Sequence, residues 1–430
     1  MNPEFRRQLW LQFSPARLIV LPLLIVACFA AVVASGPRQP ASALAYTGAI
    51  LFGLLVWGMG TLAAGASVMD EITERTWDQQ RMSAMQPWAM TWGKLAGATA
   101  YGWYGGAWCL LVAVPSALIS EPAALVLRFT VGGILGGILL QSMLIAVNLQ
   151  LARVGGRMAR TGGVTALLVT LLWAVGPLLG LLEGAEVLWW NRGFERTSFA
   201  LASLALFAAC ALIAAWRTMA EVLAVRQLPW GWPALALMAT VYLAGFAPEN
   251  RLATLGMTGL AICALATYFA LLTEPQPRPL WQRVITRLDG GQWRAALQQL
   301  PRWPTTLALA LPFAAVVVFA LTQEAASPGM LGEYSGLHAL SVVMLMVRDC
   351  ALALFLAFSP KGRRPVLGFW VLIGVLYGLL PWLLTSFHSN LLLGVVQPLL
   401  MPSSWSVAFA ALHMIVALGL LRWRWRGTAT

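Results

Sequence analysis

The sequence predicts an all-α, polytopic membrane helix bundle of about 12 transmembrane helices, with both termini cytoplasmic and an interfacial helix at the N-terminus. Three observations predict it. The chain of 430 residues is 60% hydrophobic and only 10% charged, with a mean hydropathy of +0.76, whereas a soluble domain carries about a quarter charged residues. About twelve apolar runs reach the ~20 residues needed to cross a hydrocarbon core of ~30 Å. Basic residues also alternate between loops. With both termini inside, only Arg38, Arg128, Arg192, Arg196 and Arg251 fall in outer segments, Arg348 lies within a span, and every other Lys or Arg is inner. The net charge of +12 is therefore a consequence of topology and gives no reason to expect nucleic acid as a partner.

Residues 3–14 place Phe5, Leu9 and Phe13 at successive spacings of four, with Arg6 and Arg7 off that line. This predicts a helix lying along the inner leaflet. The apolar run that follows has no small-residue cleavage site, so the first span is expected to be retained. Spans are expected over 17–35, 44–66, 92–118, 127–152, 162–183, 197–216, 230–246, 252–273, 303–322, 337–358, 365–386 and 403–422. All five cysteines lie inside apolar runs with no CxxC pair, which predicts buried thiols. Gly102, Gly105 and Gly106, and Gly132, Gly133, Gly136 and Gly137, form small-residue patterns that predict close helix packing.

Two short echoes raise an internal repeat. Residues 293–297 (WRAAL) resemble 5–9 (FRRQL), and Tyr334-Ser335-Gly336 matches Tyr46-Thr47-Gly48. Chance similarity between apolar runs is the competing explanation. On this basis the chain divides into a six-helix half over 1–225, two further spans and a basic inner linker over 226–290, and a shortened second half over 291–430.

Enzymatic signatures are scarce. The lone Gly-Lys pair, Gly93-Lys94, has Trp88 where a phosphate loop would need its first glycine. His338, His388 and His413 are far apart in sequence without metal-type spacing, and His338 and His388 are expected to be solvated near outer span ends. No catalytic, metal or cofactor-binding residue is assigned. Arg348 and Asp349 fall near the middle of a span, where each costs about 2.5–3.5 kcal/mol. Adjacent helix positions point about 100° apart, so the two are not expected to pair simply with each other. Together they suggest either the lining of a transport path or a structural interhelical pairing.

The densest run of mixed charge is 70–94, DEITERTWDQQRMSAMQPWAMTWGK. Glu71, Glu74, Arg75, Asp78 and Arg81 share one helical face, and Pro87 ends the polar stretch. A charged loop that is simply solvated is the plain alternative. The pattern Glu71, Glu74-Arg75-Thr76-Trp77-Asp78, then Pro87, then Gly93-Lys94 opening a span, resembles the coupling region of permease subunits of type-2 ABC exporters. The resemblance covers about residues 1–220; Arg75 replaces the family's usual glycine, and such permeases usually have about six spans.

The resemblance implies a non-catalytic membrane subunit in the bacterial inner membrane, with Glu71, Glu74, Arg75, Trp77, Asp78 and Arg81 meeting a cytoplasmic ABC ATPase in two copies. ATP and Mg would then be held by that partner, with none in this chain. A second permease copy and membrane lipids complete the expected partners. Cargo would be a hydrophobic or amphipathic molecule, an envelope glycan or a peptide. Two other readings stand beside it: a membrane enzyme acting on lipid-linked substrates through Glu183, Glu186, Glu195 or His388, and an ion-coupled carrier.

Overall fold

A computed structural model describes residues 2–74, 76–77, 82, 85–154, 186–225, 227–247, 251–323, 336–359, 365–386 and 394–427. Among the described residues, ten helices are long and apolar enough to cross a membrane, and the chain is a multi-pass membrane protein. Of the twelve expected spans, 162–183 lies outside the described residues, and 230–246 is a shorter apolar helix, Gly231–Ala244. The chain separates into two compact units: residues 1–188 with 192–227, and 189–191 with 228–430.

The first unit begins with α1 (Pro3–Gln12), whose N-terminus is set by Pro3 and by Asn2, the side chain of which accepts from the Glu4 N–H. Ser14 and Pro15 repeat this punctuation at α2 (Pro15–Ala34). Helix α3 (Pro40–Thr73) is the second span, followed by α4 (Pro87–Ala98), α5 (Ala100–Ser120), α6 (Ala123–Val154) and α7 (Arg196–Val222). A hairpin of β1 (Val187–Trp189) and β2 (Arg192–Phe194) departs from the all-helical expectation. Trp190 and Asn191 take φ of 51° and 57° at its turn.

The expected third span, 92–118, is a fusion of two elements. The chain breaks at Thr99, so residues 92–98 belong to α4 and only α5 crosses. Helix α4 instead packs along α1, and Gly93 and Gly97 make that possible. A Cβ on Gly93 would lie 2.7 Å from the Glu4 Cβ, and one on Gly97 would lie 2.6 Å from the Gln8 Cβ. The expected packing role of the other glycines also holds where they are described: a Cβ on Gly106 or Gly137 would meet the Val56 side chain at 2.5 and 2.7 Å.

Val56 itself sits in a π-helical turn of α3, Gly53–Met59. Such a turn disturbs the backbone ladder, and in lipid every backbone polar group needs a partner. Gln141 of α6 supplies one, donating from Nε2 to the Val56 carbonyl at 3.0 Å, while Trp103 Nε1 donates to Gln141 Oε1 at 3.0 Å.

The second unit contains α8 (Gly231–Ala244), α9 (Arg251–Thr273), α10 (Arg278–Asp289), α11 (Trp293–Leu297), α12 (Trp303–Gln323) and α13 (Gly336–Ala357). It ends with α14, which runs from Pro365–Gly374 through a π turn, Val375–Leu379, into Leu380–Ser386, and α15 (Ser403–Gly427). Leu260, Phe313, Val317, Val343 and Met346 form one apolar cluster, and Leu354, Phe358 and Phe369 belong to another. The cysteines are free. Cys109, Cys263 and Cys350 are buried, Cys210 is half-buried, and Cys28 is exposed on the open face of α2, against the expectation for that residue.

Gly97→Leu should push α1 off α4. Limited trypsin digestion of the purified chain is expected to cut at Arg6 or Arg7 faster than in the unaltered protein, with a destabilisation of about 1–3 kcal/mol from overpacking.

Candidate functional site

The polar stretch after the second span is closed at its neck by a buried ion pair. Lys94, with no exposed side-chain surface, places Nζ 2.5 Å from Glu71 Oε2, 3.3 Å from Glu4 Oε1 and 3.1 Å from the Ser67 carbonyl. An ammonium has three donors, and these three acceptors face it. Arg7 completes the group: it pairs with Glu4 at 2.8 Å and with Glu71, and Gln8 Nε2 donates to Glu4 at 2.9 Å. Two carboxylates against two cations leave the cluster neutral. That is what makes its burial tolerable, since an uncompensated buried charge costs several kcal/mol.

Three elements supply this cluster: α1, the end of α3, and α4. Trp77 folds beneath it, its ring centroid 5.6 Å from Lys94 Nζ, in an apolar cluster with Val68, Met90, Ile145, Leu149 and Met219. The backbone leaves α3 at Glu74, which is exposed, and Thr76 N–H turns back to the Glu71 carbonyl at 3.0 Å.

The structure thus separates the residues proposed from sequence. Glu71 and Trp77 face inward, Glu74 outward, and Arg75, Asp78 and Arg81 lie outside the described residues. Sequence reasoning missed Glu4, Arg7 and Lys94. A signal for them existed: Glu4 and Gln8 are spaced by four, as are Gly93 and Gly97 beside Lys94, which is the match needed for one helix to lie across another.

Burial alone would raise the Glu4 carboxyl. The hydrogen bond from Arg7, the charge of Lys94 and the hydrogen bond from Gln8 outweigh it and hold the group at about 2, against an ordinary 4.5. The hydrogen bond to Glu4, with the charges of Glu4 and Glu71, outweighs burial and pushes the Arg7 guanidinium further up.

A second buried network lies within the other unit. Asp349, fully buried, accepts at Oδ2 from Tyr268 at 2.7 Å and from Tyr377 at 2.8 Å. Its Oδ1 accepts from Arg348 Nε at 2.8 Å. Arg348 Nη1 lies 3.1 Å from His413 Nδ1, and its guanidinium stacks over the Tyr377 ring at 5.0 Å. Because a guanidinium can only donate, His413 Nδ1 is the acceptor.

The expectation that adjacent Arg348 and Asp349 do not pair is overturned. The two side chains leave the helix about 100° apart, but the arginine arm is long enough to curl back onto its neighbour. Asp349, on α13, is thereby tied to α9 and α14, and Arg348 adds α15, so the pair makes interhelical contacts. His338 is likewise buried and not solvated, with Nε2 2.9 Å from the Met401 carbonyl; His388 lies outside the described residues.

Among the described residues, no group of three or more His, Cys, Asp or Glu is placed to hold a metal ion. Glu186 is exposed, and Glu195 is engaged by Arg128, Thr197 and Ser198; Glu183 lies outside the described residues. No family model, curated protein or solved structure matches the chain.

Two outcomes follow from these networks. Glu4 titrates lower in the folded chain than when free, so its contribution is complete above about pH 4.5 and fades as pH falls toward about 2. In thermal melts, Glu4→Gln should lie furthest below the unaltered chain near pH 7, by about 3 kcal/mol, with the gap narrowing below pH 4.5; a gap independent of pH would refute this. Asp349→Ala, which strands a buried guanidinium, should cost about 3–5 kcal/mol in the same assay, against about 1 kcal/mol for Tyr268→Phe.

Proposed function

We propose that the chain is the membrane permease subunit of an ATP-driven transporter of the type-2 ABC exporter class, seated in a bacterial cytoplasmic membrane and driven by a separate ATPase. One observation carries this reading. The polar segment after the second long span is pinned at its neck by the Glu71–Lys94 pair, with Glu4 and Arg7 completing a neutral, buried base beneath it. A force applied to that segment reaches α1, α3 and α4 together, because all three contribute charges to that base. A solvated loop with no mechanical role needs no buried anchor of this kind.

The sequence has no phosphate loop of its own, so ATP and Mg belong to the partner, in two copies by analogy with the class. Among the described residues of the segment, Glu74 is an exposed carboxylate available to a basic groove. Glu71 and Trp77 act from beneath, holding the surface in shape. The chain works alone or beside a second permease copy, and its cargo is a hydrophobic or amphipathic molecule, an envelope glycan or a peptide.

Affinity capture of the tagged chain from native membranes should bring down an ATPase bearing a phosphate loop. Glu74→Arg is expected to weaken that association at least about tenfold, or ~1.4 kcal/mol, without shifting the melting midpoint of the purified chain. Transport by the purified chain under an ion gradient, with no ATPase bound, would overturn the reading.

A further inference from the structure

The segment joining α9 to α12 is also closed at a neck. Glu274 Oε1 lies 2.9 Å from Arg302 Nε, and Glu274 Oε2 accepts from the Arg302 N–H at 2.9 Å. Gln276 Oε1 is met by the indole N–H groups of both Trp281 and Trp303 at 3.3 Å. These bonds bring the end of one long apolar helix level with the start of the next. Both helices are long and apolar enough to cross a membrane, so what lies between them, α10 and α11, sits at the level of the bilayer surface.

One side of α10–α11 is used internally. Val284 is buried, Trp281 packs on Trp303 with ring centroids 5.6 Å apart, and Arg278 donates to the Trp425 carbonyl while stacking on its ring. Arg287 ties the two helices together by donating to the Ala295 carbonyl at 3.1 Å. The other side is open. Ile285, Trp293 and Leu297 are 43%, 65% and 42% exposed, and Arg283 and Arg294 are exposed as well. Residues 278–302 carry five arginines against a single acid, Asp289.

We infer that this open face of α10–α11 is a binding surface for anionic phospholipid, with the arginines on the headgroup phosphates and Trp293, Leu297 and Ile285 in the acyl boundary. Apolar side chains at the level of a bilayer have an apolar phase within reach, and exposed cations on the same two helices select its negatively charged headgroups. An acidic soluble protein would satisfy the arginines but would have to cover the apolar residues at the very edge of the lipid. The inference does not depend on the transport reading.

The test uses the full chain in nanodiscs of phosphatidylcholine containing phosphatidylglycerol, with retained lipids counted by native mass spectrometry. The unaltered chain should retain phosphatidylglycerol preferentially. Arg283→Gln/Arg294→Gln should lower that preference about thirtyfold, equivalent to ~2 kcal/mol at about 1 kcal/mol per basic residue, while Arg38→Gln/Arg192→Gln leaves it unchanged. Trp293→Ser should weaken retention of both lipids alike. Raising salt to about 0.5 M on the unaltered chain should lower the preference without any substitution, because screening is then much shorter-ranged. No preference in the unaltered chain, an equal loss in the control pair, or indifference to salt would each overturn the inference.

Discussion

A lysine ammonium with no exposed surface must find acceptors on every side, and much of the first unit's architecture follows from how Lys94 finds them. Glu71 comes from the end of the second span, Glu4 from the interfacial helix, and a carbonyl from the turn before Glu71. To deliver Glu4, α1 must lie almost backbone to backbone with α4, which requires the bare surfaces of Gly93 and Gly97. To deliver Glu71, α3 must run about three turns past the end of an ordinary span, and it does: Pro40–Thr73 is 34 residues long. The break at Thr99 lets α4 leave the line of α5 and meet both. One charge thus dictates a helix length, a helix break and a helix crossing.

The network around Asp349 obeys the same electrostatic rule by other means. Here the opposite charge is the sequence neighbour, and the remaining acceptor capacity is filled by two tyrosine hydroxyls from separate helices. The pair is neutral overall, and the directional bonds around it fix how neighbouring helices are rotated about their own axes. Apolar packing alone specifies rotation weakly, because leucine-rich surfaces fit one another in several ways, whereas a buried carboxylate accepts donors from particular directions only. Tyr377 reaches it from the π turn of α14, which suggests why that turn stands where it does.

What could be read in the sequence was whatever depends on composition or on short spacings. The long apolar helices follow from runs of about twenty residues because a bilayer admits little else. Contacts between residues distant in the chain were not readable: Glu4 and Lys94 lie ninety positions apart, and no local pattern in either names the other. The run 92–118 looked like one span because hydropathy averages over Lys94 and cannot register a bend at Thr99. Arg348 and Asp349 were misjudged by treating side chains as rigid spokes, a picture that holds for short residues and fails for an arginine.

The interfacial helix also has a consequence for the order in which the chain is assembled. Synthesis proceeds from the N-terminus, so α1 emerges before any of its permanent contacts exist. Glu4 and Gln8 have to wait while two membrane crossings are threaded into the bilayer and α4 follows them out. Until then α1 can rest only on the lipid surface, held by whatever its own amphipathic character provides. The segment made early is therefore among the later ones to be locked, and its locking certifies that everything between residues 13 and 86 has already been laid down in the right sense.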